Sequence, residues 1–208
     1  MLPASAPVSS ERLAIISTGK YYVQAVTAPR LTSRFGLPDE AATARLGAAL
    51  GRAIEAGTEA IVQEGLVIGL SGELGAGKTA LVRAALRRLG VVGPVRSPTF
   101  SLLELYPLSR LNFYHFDFYR FTDAGDFASS GFRDFFGPGS VCAMEWPERA
   151  GEASFSLDLL IRMQVADAGR VAHIDALTEA GERCLQETTR AWQISPEISP
   201  EISQDGAC

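Results

Sequence analysis

Apolar residues recur at Ala42, Leu46, Ala49, Leu50, Ala53 and Ile54 with the 3.6-residue period of a helix. Asp39 stands where a side-chain cap belongs, and Gly57 marks the far end. Leu66-Val-Ile-Gly-Leu70 then runs apolar without alternation, which predicts a strand buried on both faces. A glycine loop leads to a second helical stripe, Leu81, Val82, Ala85, Leu86 and Leu89, with Arg83, Arg87 and Arg88 on its polar face and Gly90 placed to stop it. Further strands are predicted at 101–106, 113–121, 141–144 and 157–165, and a short helical stretch at 123–136. Helical and strand periods that alternate in this way predict an α/β domain over residues 39–184, a sheet sandwiched by helices. Residues 1–38 show no sustained period and read as an arm. Residues 185–208 read as a disordered tail, because the near-repeat Ile194-Ser-Pro-Glu, Ile198-Ser-Pro-Glu, Ile202-Ser carries prolines that forbid helix or central strand.

Composition narrows the classes of function. The chain has 208 residues, 24 acidic against 19 basic, a formal charge of −5 and a pI near 5.1. That field does not hold nucleic acid by itself, so DNA is not expected as a partner and any RNA would come through another protein. The three cysteines, Cys142, Cys184 and Cys208, are too scattered for a disulfide framework or a CxxC metal pair, which suits a reducing cytoplasm. No apolar run approaches the roughly 18 residues of a membrane span, and Met1 to Ser10 lack the basic start and apolar stretch of a secretory leader.

Chemistry enters between the first predicted strand and the second predicted helix. Gly72-Glu73-Leu74-Gly75-Ala76-Gly77-Lys78-Thr79, followed by Ala80, satisfies G-x-x-x-x-G-K-[ST] in a strand, loop, helix context. The glycines let successive N–H groups turn inward as an anion nest, and the helix adds its positive N-terminus. Lys78 would reach the β and γ phosphates of a nucleotide, and Thr79 offers a hydroxyl to Mg2+, a hard cation that takes few protein ligands when phosphates supply the rest. Only two of the 19 basic residues are lysines, Lys20 and Lys78, so a lysine at this position is not compositional drift.

A second carboxylate on the metal side should end an apolar strand, as Glu145 does after Val141-Cys-Ala-Met144. Asp117 competes for that role: alternation along Phe113–Phe121 puts His115, Asp117 and Tyr119 on one face and Phe116, Phe118 and Arg120 on the other. A carboxylate on a buried strand must be paired, hydrogen bonded or metal-linked. His115 reads as a satisfied core histidine, and Trp146 as a ring packed by Pro147. Arg96-Ser-Pro-Thr-Phe100 sets two hydroxyls beside a proline where nucleotide switches are found, making Thr99 a candidate γ-phosphate sensor and a plain turn the alternative. Guanine-specific P-loop GTPases use an [NT]-K-x-D element that neither lysine can supply, so ATP is favoured. With no arginine-dense lid after the P-loop helix, hydrolysis is the simpler reaction and small-molecule kinase chemistry the less favoured one. A nucleotide-gated binding module with incidental hydrolysis is the other reading.

Three separated motifs agree: Gly72-Glu-Leu-Gly-Ala-Gly-Lys-Thr79, Ser97-Pro-Thr-Phe100 with His115-Phe-Asp-Phe-Tyr-Arg120, and Glu145-Trp-Pro-Glu-Arg149. Together they resemble the bacterial TsaE (YjeE) family of P-loop ATPases over roughly residues 39 to 180, with Thr43 and Leu46-Gly47 included. The resemblance implies a three-layer α/β/α P-loop NTPase fold with a mostly parallel, mixed sheet. It implies ATP and Mg2+ as cofactors, and weak hydrolysis stimulated by a TsaB–TsaD heterodimer during formation of threonylcarbamoyladenosine beside the anticodon, with tRNA held through the complex. It makes Lys78 the phosphate lysine, Thr79, Glu145 and Asp117 the Mg2+ side, Thr99 part of the switch, and Thr43 and Trp146 residues beside the nucleotide. Phe118 and Glu73 stand where the family usually has leucine and aspartate. Larger departures are the long amino-terminal arm, the extra residues between the first helix and strand, and Ala153-Ser-Phe155.

Overall fold

The computed structural model describes residues 28–151 and 155–194. Most of the predicted arm, the proline-bearing repeat and Ala153-Ser154 lie outside them. The elements in chain order are β1 (Leu31–Leu37), α1 (Glu40–Ala56), α2 (Thr58–Glu64), β2 (Leu66–Ser71), α3 (Lys78–Arg88), β3 (Leu103–Pro107), β4 (Asn112–Asp117) and α4 (Ala124–Ser129). They continue with β5 (Ser140–Glu145), β6 (Leu159–Val165), β7 (Arg170–Ala176) and α5 (Glu179–Ile194), and with single 3-10 turns at Phe132–Phe135 and Pro147–Ala150. The seven strands form one sheet in the order β1-β7-β6-β2-β5-β4-β3. Its centre, β6-β2-β5-β4, is parallel, and the strands toward both edges pair antiparallel. This is the mixed, mostly parallel sheet flanked by helices that the sequence predicts.

The sheet separates two apolar cores. On one face Leu66, Ile68 and Leu70 of β2 and Val141 and Ala143 of β5 pack with Leu46, Leu50 and Ile54 of α1, Leu81 and Leu86 of α3 and Leu185 of α5. On the other, Phe116 and Phe118 join Cys142 and Met144 with Phe121 and Phe127, lined by Phe132, Phe136 and Phe155. The second layer is therefore short helical pieces filled by aromatic rings rather than long helices, which accounts for a segment so rich in phenylalanine without base stacking. Alternation within β4 and β5 sends neighbouring residues to opposite cores.

Local signals work where expected. The Asp39 side chain accepts a hydrogen bond from Ala42 N at 2.7 Å and starts α1. At the end of α3, Val91 N donates to Leu86 O and Gly90 N to Arg87 O, the paired bonds of a Schellman motif, with Gly90 at φ 89°.

Two predicted boundaries are corrected. Leu31–Leu37, read as the end of the arm, is the edge strand β1, aligned with β7 from Leu31 opposite Ala176 to Leu37 opposite Arg170. Its only local signal is that Phe35 and Leu37 point inward while their neighbours stay exposed. Residues 185–194, read as tail, complete α5, which buries Cys184, Leu185, Thr188 and Ala191 along one stripe. Thr188 and Thr189 keep their hydroxyls satisfied by donating to the carbonyls of Cys184 and Leu185 one turn back. Trp192 then meets Phe35 edge-on at 5.6 Å and receives the Arg45 guanidinium over its ring, so α5 clamps β1 and α1. The unpredicted α2 absorbs the extra residues before β2, and β7 was also unanticipated. The strand predicted at 113–121 stops at Asp117, where the chain turns back through a bond from Phe121 N to Phe118 O.

Candidate active site

The parallel strands β2, β5 and β4 end side by side at their carboxyl edge, where open α/β sheets bind ligands. Leu70 pairs with Glu145 and Glu145 with Asp117, so the loop after β2 emerges beside two carboxylates one strand spacing apart. A cleft of about 460 Å³ opens there, lined by the loop glycines Gly75 and Gly77, by Lys78, Thr79 and Ala80, and by Thr43, Thr99, Asp117, Glu145 and Trp146.

The loop needs its glycines for two separate reasons. At Gly72 a Cβ would lie 2.2 Å from the carbonyl oxygen of Met163, a backbone atom that cannot swing away. At Gly77 the backbone is left-handed, φ 104°, and caps α3 without any side-chain bond. The first N–H groups of α3 thus keep their positive ends free for an anion. Glu73 and Leu74 are exposed and contribute backbone to the loop, and Ala76 is fully buried beneath it.

Lys78 is 4% exposed. Its Nζ donates to the carbonyls of Gly72 at 2.5 Å and Glu73 at 3.0 Å and lies 4.0 Å from the Trp146 ring centre. Burial pulls its pKa below the ordinary lysine value, and the carboxylates Glu145, Glu148 and Asp117 push back upward. Polyphosphate arriving at the loop would add negative charge beside it and oppose the desolvation. Burial also raises the pKa of Glu148 against the pull of Lys78 and Arg149.

The two carboxylates are held differently. Glu145 Oε1 accepts from Thr79 Oγ1 at 2.7 Å and lies 3.0 Å from His115 Nε2. Asp117 Oδ2 accepts from Thr99 Oγ1 at 2.7 Å and from Ser97 Oγ, and its Oδ1 accepts from Tyr119 N at 2.9 Å. The structure thus joins Thr79 to Glu145, and joins the 97–99 loop to Asp117. A hydroxyl and a carboxylate converging beside a phosphate-type loop are the oxygen donors a hard cation takes, so the residues present fit Mg2+. Trp146 is not simply packed by Pro147: it has φ 60°, its N–H extends the β2 pairing to Leu70 O, and its ring roofs Lys78 beside Tyr119. Thr43, from α1, donates to Asp39 O and is 2% exposed at the cleft wall.

Sequence reasoning missed four residues lining this cleft, Glu40, Arg83, Tyr119 as a lining residue, and Arg170. Arg170 opens β7 and reaches Gly75 O at 3.4 Å, and no local signal could have found it because β7 itself was not anticipated. No group of three or more His, Cys, Asp or Glu suited to a metal exists among the described residues. Among the described residues no helix is long and apolar enough to cross a membrane.

Residues 37–174 match the family model described as threonylcarbamoyl adenosine biosynthesis protein TsaE. The chain is 32% identical over 149 residues to the tRNA threonylcarbamoyladenosine biosynthesis protein TsaE of Haemophilus influenzae, covering 72% of this chain and 92% of the relative. It is 37% identical over 146 residues to the protein of the same name in Bacillus subtilis, covering 69% and 90%. The crystal structure of Bacillus subtilis YdiB superposes with a TM-score of 0.55 at 27% identity, covering 77% of this chain and 94% of that one.

Proposed function

Given that the chain belongs to the TsaE family, we propose that it is the Mg2+-dependent ATPase subunit of tRNA threonylcarbamoyladenosine biosynthesis, acting with TsaB and TsaD. The observation that carries this reading is the convergence of Lys78, Thr79, Glu145 and Asp117, from three separate stretches of chain, on one cleft at the carboxyl edge of the sheet. A structural glycine turn would not gather a buried lysine and two carboxylates.

In this reading the loop N–H groups and the α3 N-terminus hold the β phosphate, and Lys78 leaves the Gly72 and Glu73 carbonyls to reach the γ phosphate. Thr79 and Glu145 are the protein ligands of Mg2+, with Asp117 beside them; the cation supplies charge neutralisation of the phosphate oxygens. A water oxygen attacks the γ phosphorus, the bond to the β-phosphate oxygen breaks, ADP leaves, and the water's proton passes to phosphate or solvent. Trp146 and Tyr119 shield Lys78 from bulk water, which strengthens its field at the phosphates. Thr43 borders the nucleotide from α1. The net charge of −5 fits a subunit that meets tRNA through the complex rather than by its own field.

The test is ATP turnover by the purified protein alone and with a TsaB–TsaD pair, using Lys78→Ala as blank. Stimulation by the pair that is lost in the blank is the expected outcome. One observation favours a second reading, a nucleotide-gated module: Asp117 accepts from both Ser97 and Thr99, and a γ phosphate would compete for Thr99. Tight ATP binding with no turnover in either condition would select that module.

A further inference from the structure

We propose that His115 is a positioning residue for hydrolysis: its Nε2–H donates to the Glu145 carboxylate and keeps it aimed at the cation beside Thr79. This deepens the proposed ATPase reading and rests on its assignment of Glu145 to Mg2+. Three observations support it.

The first is location. His115 is in mid-β4, its backbone paired with Glu104 of β3 on one side and Ala143 of β5 on the other, and its side chain is 0% exposed. The ring can neither drift nor reach solvent.

The second is the bond itself. Nε2 lies 3.0 Å from Glu145 Oε1, the distance at which a ring N–H donates to a carboxylate oxygen. That same oxygen accepts from Thr79 Oγ1 at 2.7 Å. A threonine hydroxyl that gives a lone pair to Mg2+ keeps its proton and goes on donating, so Oε1 is held by two donors, and His115 is the one that does not itself bind the cation.

The third is what the ring lacks. Nδ1 is buried and has no partner among the described residues. A buried polar atom without a partner is a cost that a phenylalanine, like those filling the opposite face of the sheet, would not carry. The gain that offsets it lies at Nε2. Hydrogen-bonding partners of metal-binding carboxylates orient the ligand, and their loss lowers metal affinity or activity about 10- to 100-fold.

The experiment uses His115→Gln, whose amide nitrogen can sit where Nε2 does, against His115→Asn and His115→Phe, which cannot donate at that point. Binding of a fluorescent ADP analogue is titrated with Mg2+, and turnover is measured in parallel. The Asn and Phe variants should need about tenfold more Mg2+ for the half-maximal effect and Gln close to the wild-type amount, with binding in EDTA alike in all four proteins. The imidazole nitrogens of the ligand-free protein are read by long-range ¹H–¹⁵N correlation, which is tractable because the chain has two histidines and His173→Gln assigns them. The expected spectrum has a protonated Nε2 that shifts in Glu145→Ala and a bare Nδ1. A bare Nε2, or a Gln variant as impaired as Phe, would overturn the proposal. If the wild-type protein shows no turnover with or without the TsaB–TsaD pair, the ATPase reading fails, while the Mg2+ dependence of ADP-analogue binding and the ring spectrum still decide the role of His115.

Discussion

Replacing Gly47 with alanine tests whether the packing of α1 on α3 holds the phosphate loop in place. Gly47 and Gly51 lie one turn apart on α1 and press on α3, the helix that begins at Lys78. A Cβ on Gly47 would lie 2.4 Å from the carbonyl oxygen of Leu81 and 2.6 Å from Ala84 Cβ, and one on Gly51 would lie 2.7 Å from Ala85 O. The first obstacle is backbone, so no rotamer change relieves it, and ordinary contact requires the helices to separate by about 1 Å. Overpacking of that kind costs about 1–3 kcal/mol, and the better helix propensity of alanine returns about 1 kcal/mol. The net loss, up to about 2 kcal/mol, lowers the melting temperature of a domain this size by up to about 8 °C. Under the proposed function the displaced helix carries the anion-binding end of the loop, so affinity for Mg-ADP should fall as well. Thermal unfolding by circular dichroism, with and without Mg-ADP, and calorimetric titration measure both effects. A Gly47→Ala protein that melts higher, by the propensity gain, and binds Mg-ADP as tightly as wild type would refute the argument, since α1 would then stand clear of α3.

Other consequences can be measured directly. Trp146→Gly should be more stable than Trp146→Ala by about 1 kcal/mol, because glycine tolerates φ 60° and alanine does not, while both lose the ring over Lys78; equal urea midpoints would remove backbone strain from the explanation. Glu148, its pKa raised by burial, makes folding bury part of a charge at neutral pH and nothing comparable once it is protonated in both states. Stability is therefore lost as pH rises through 4.5 toward the folded value, so Glu148→Gln should stabilise the protein at pH 7 and lose that advantage below about pH 4.5 in urea titrations across pH. Ser97→Ala with Thr99→Ala removes both hydroxyl donors from Asp117 Oδ2; faster proteolysis of the 96–100 loop in the ligand-free protein is expected, and an unchanged digestion pattern would show that the latch does not order it.

What was legible in the sequence was what short-range physics encodes. The strand, loop and helix around Gly72–Thr79 could be read because the glycines, lysine and threonine stand there at contiguous spacing, and the place of Glu145 because a carboxylate ends an apolar strand. The caps at Asp39 and Gly90 and the central helices and strands follow from periodicities that span a few turns. Tertiary structure alone decided the rest. β1 exists because β7, far along the chain, offers it a pairing edge, and α5 continues to Ile194 because Phe35 and Arg45 receive Trp192. Arg170 joins the cleft only when β7 is laid beside β6, and His115 meets Glu145 only when β4 and β5 align in parallel register. Local sequence specifies which groups can do the chemistry; the order and register of the strands determine which of them meet, because those pairings are set by burial summed over the whole sheet.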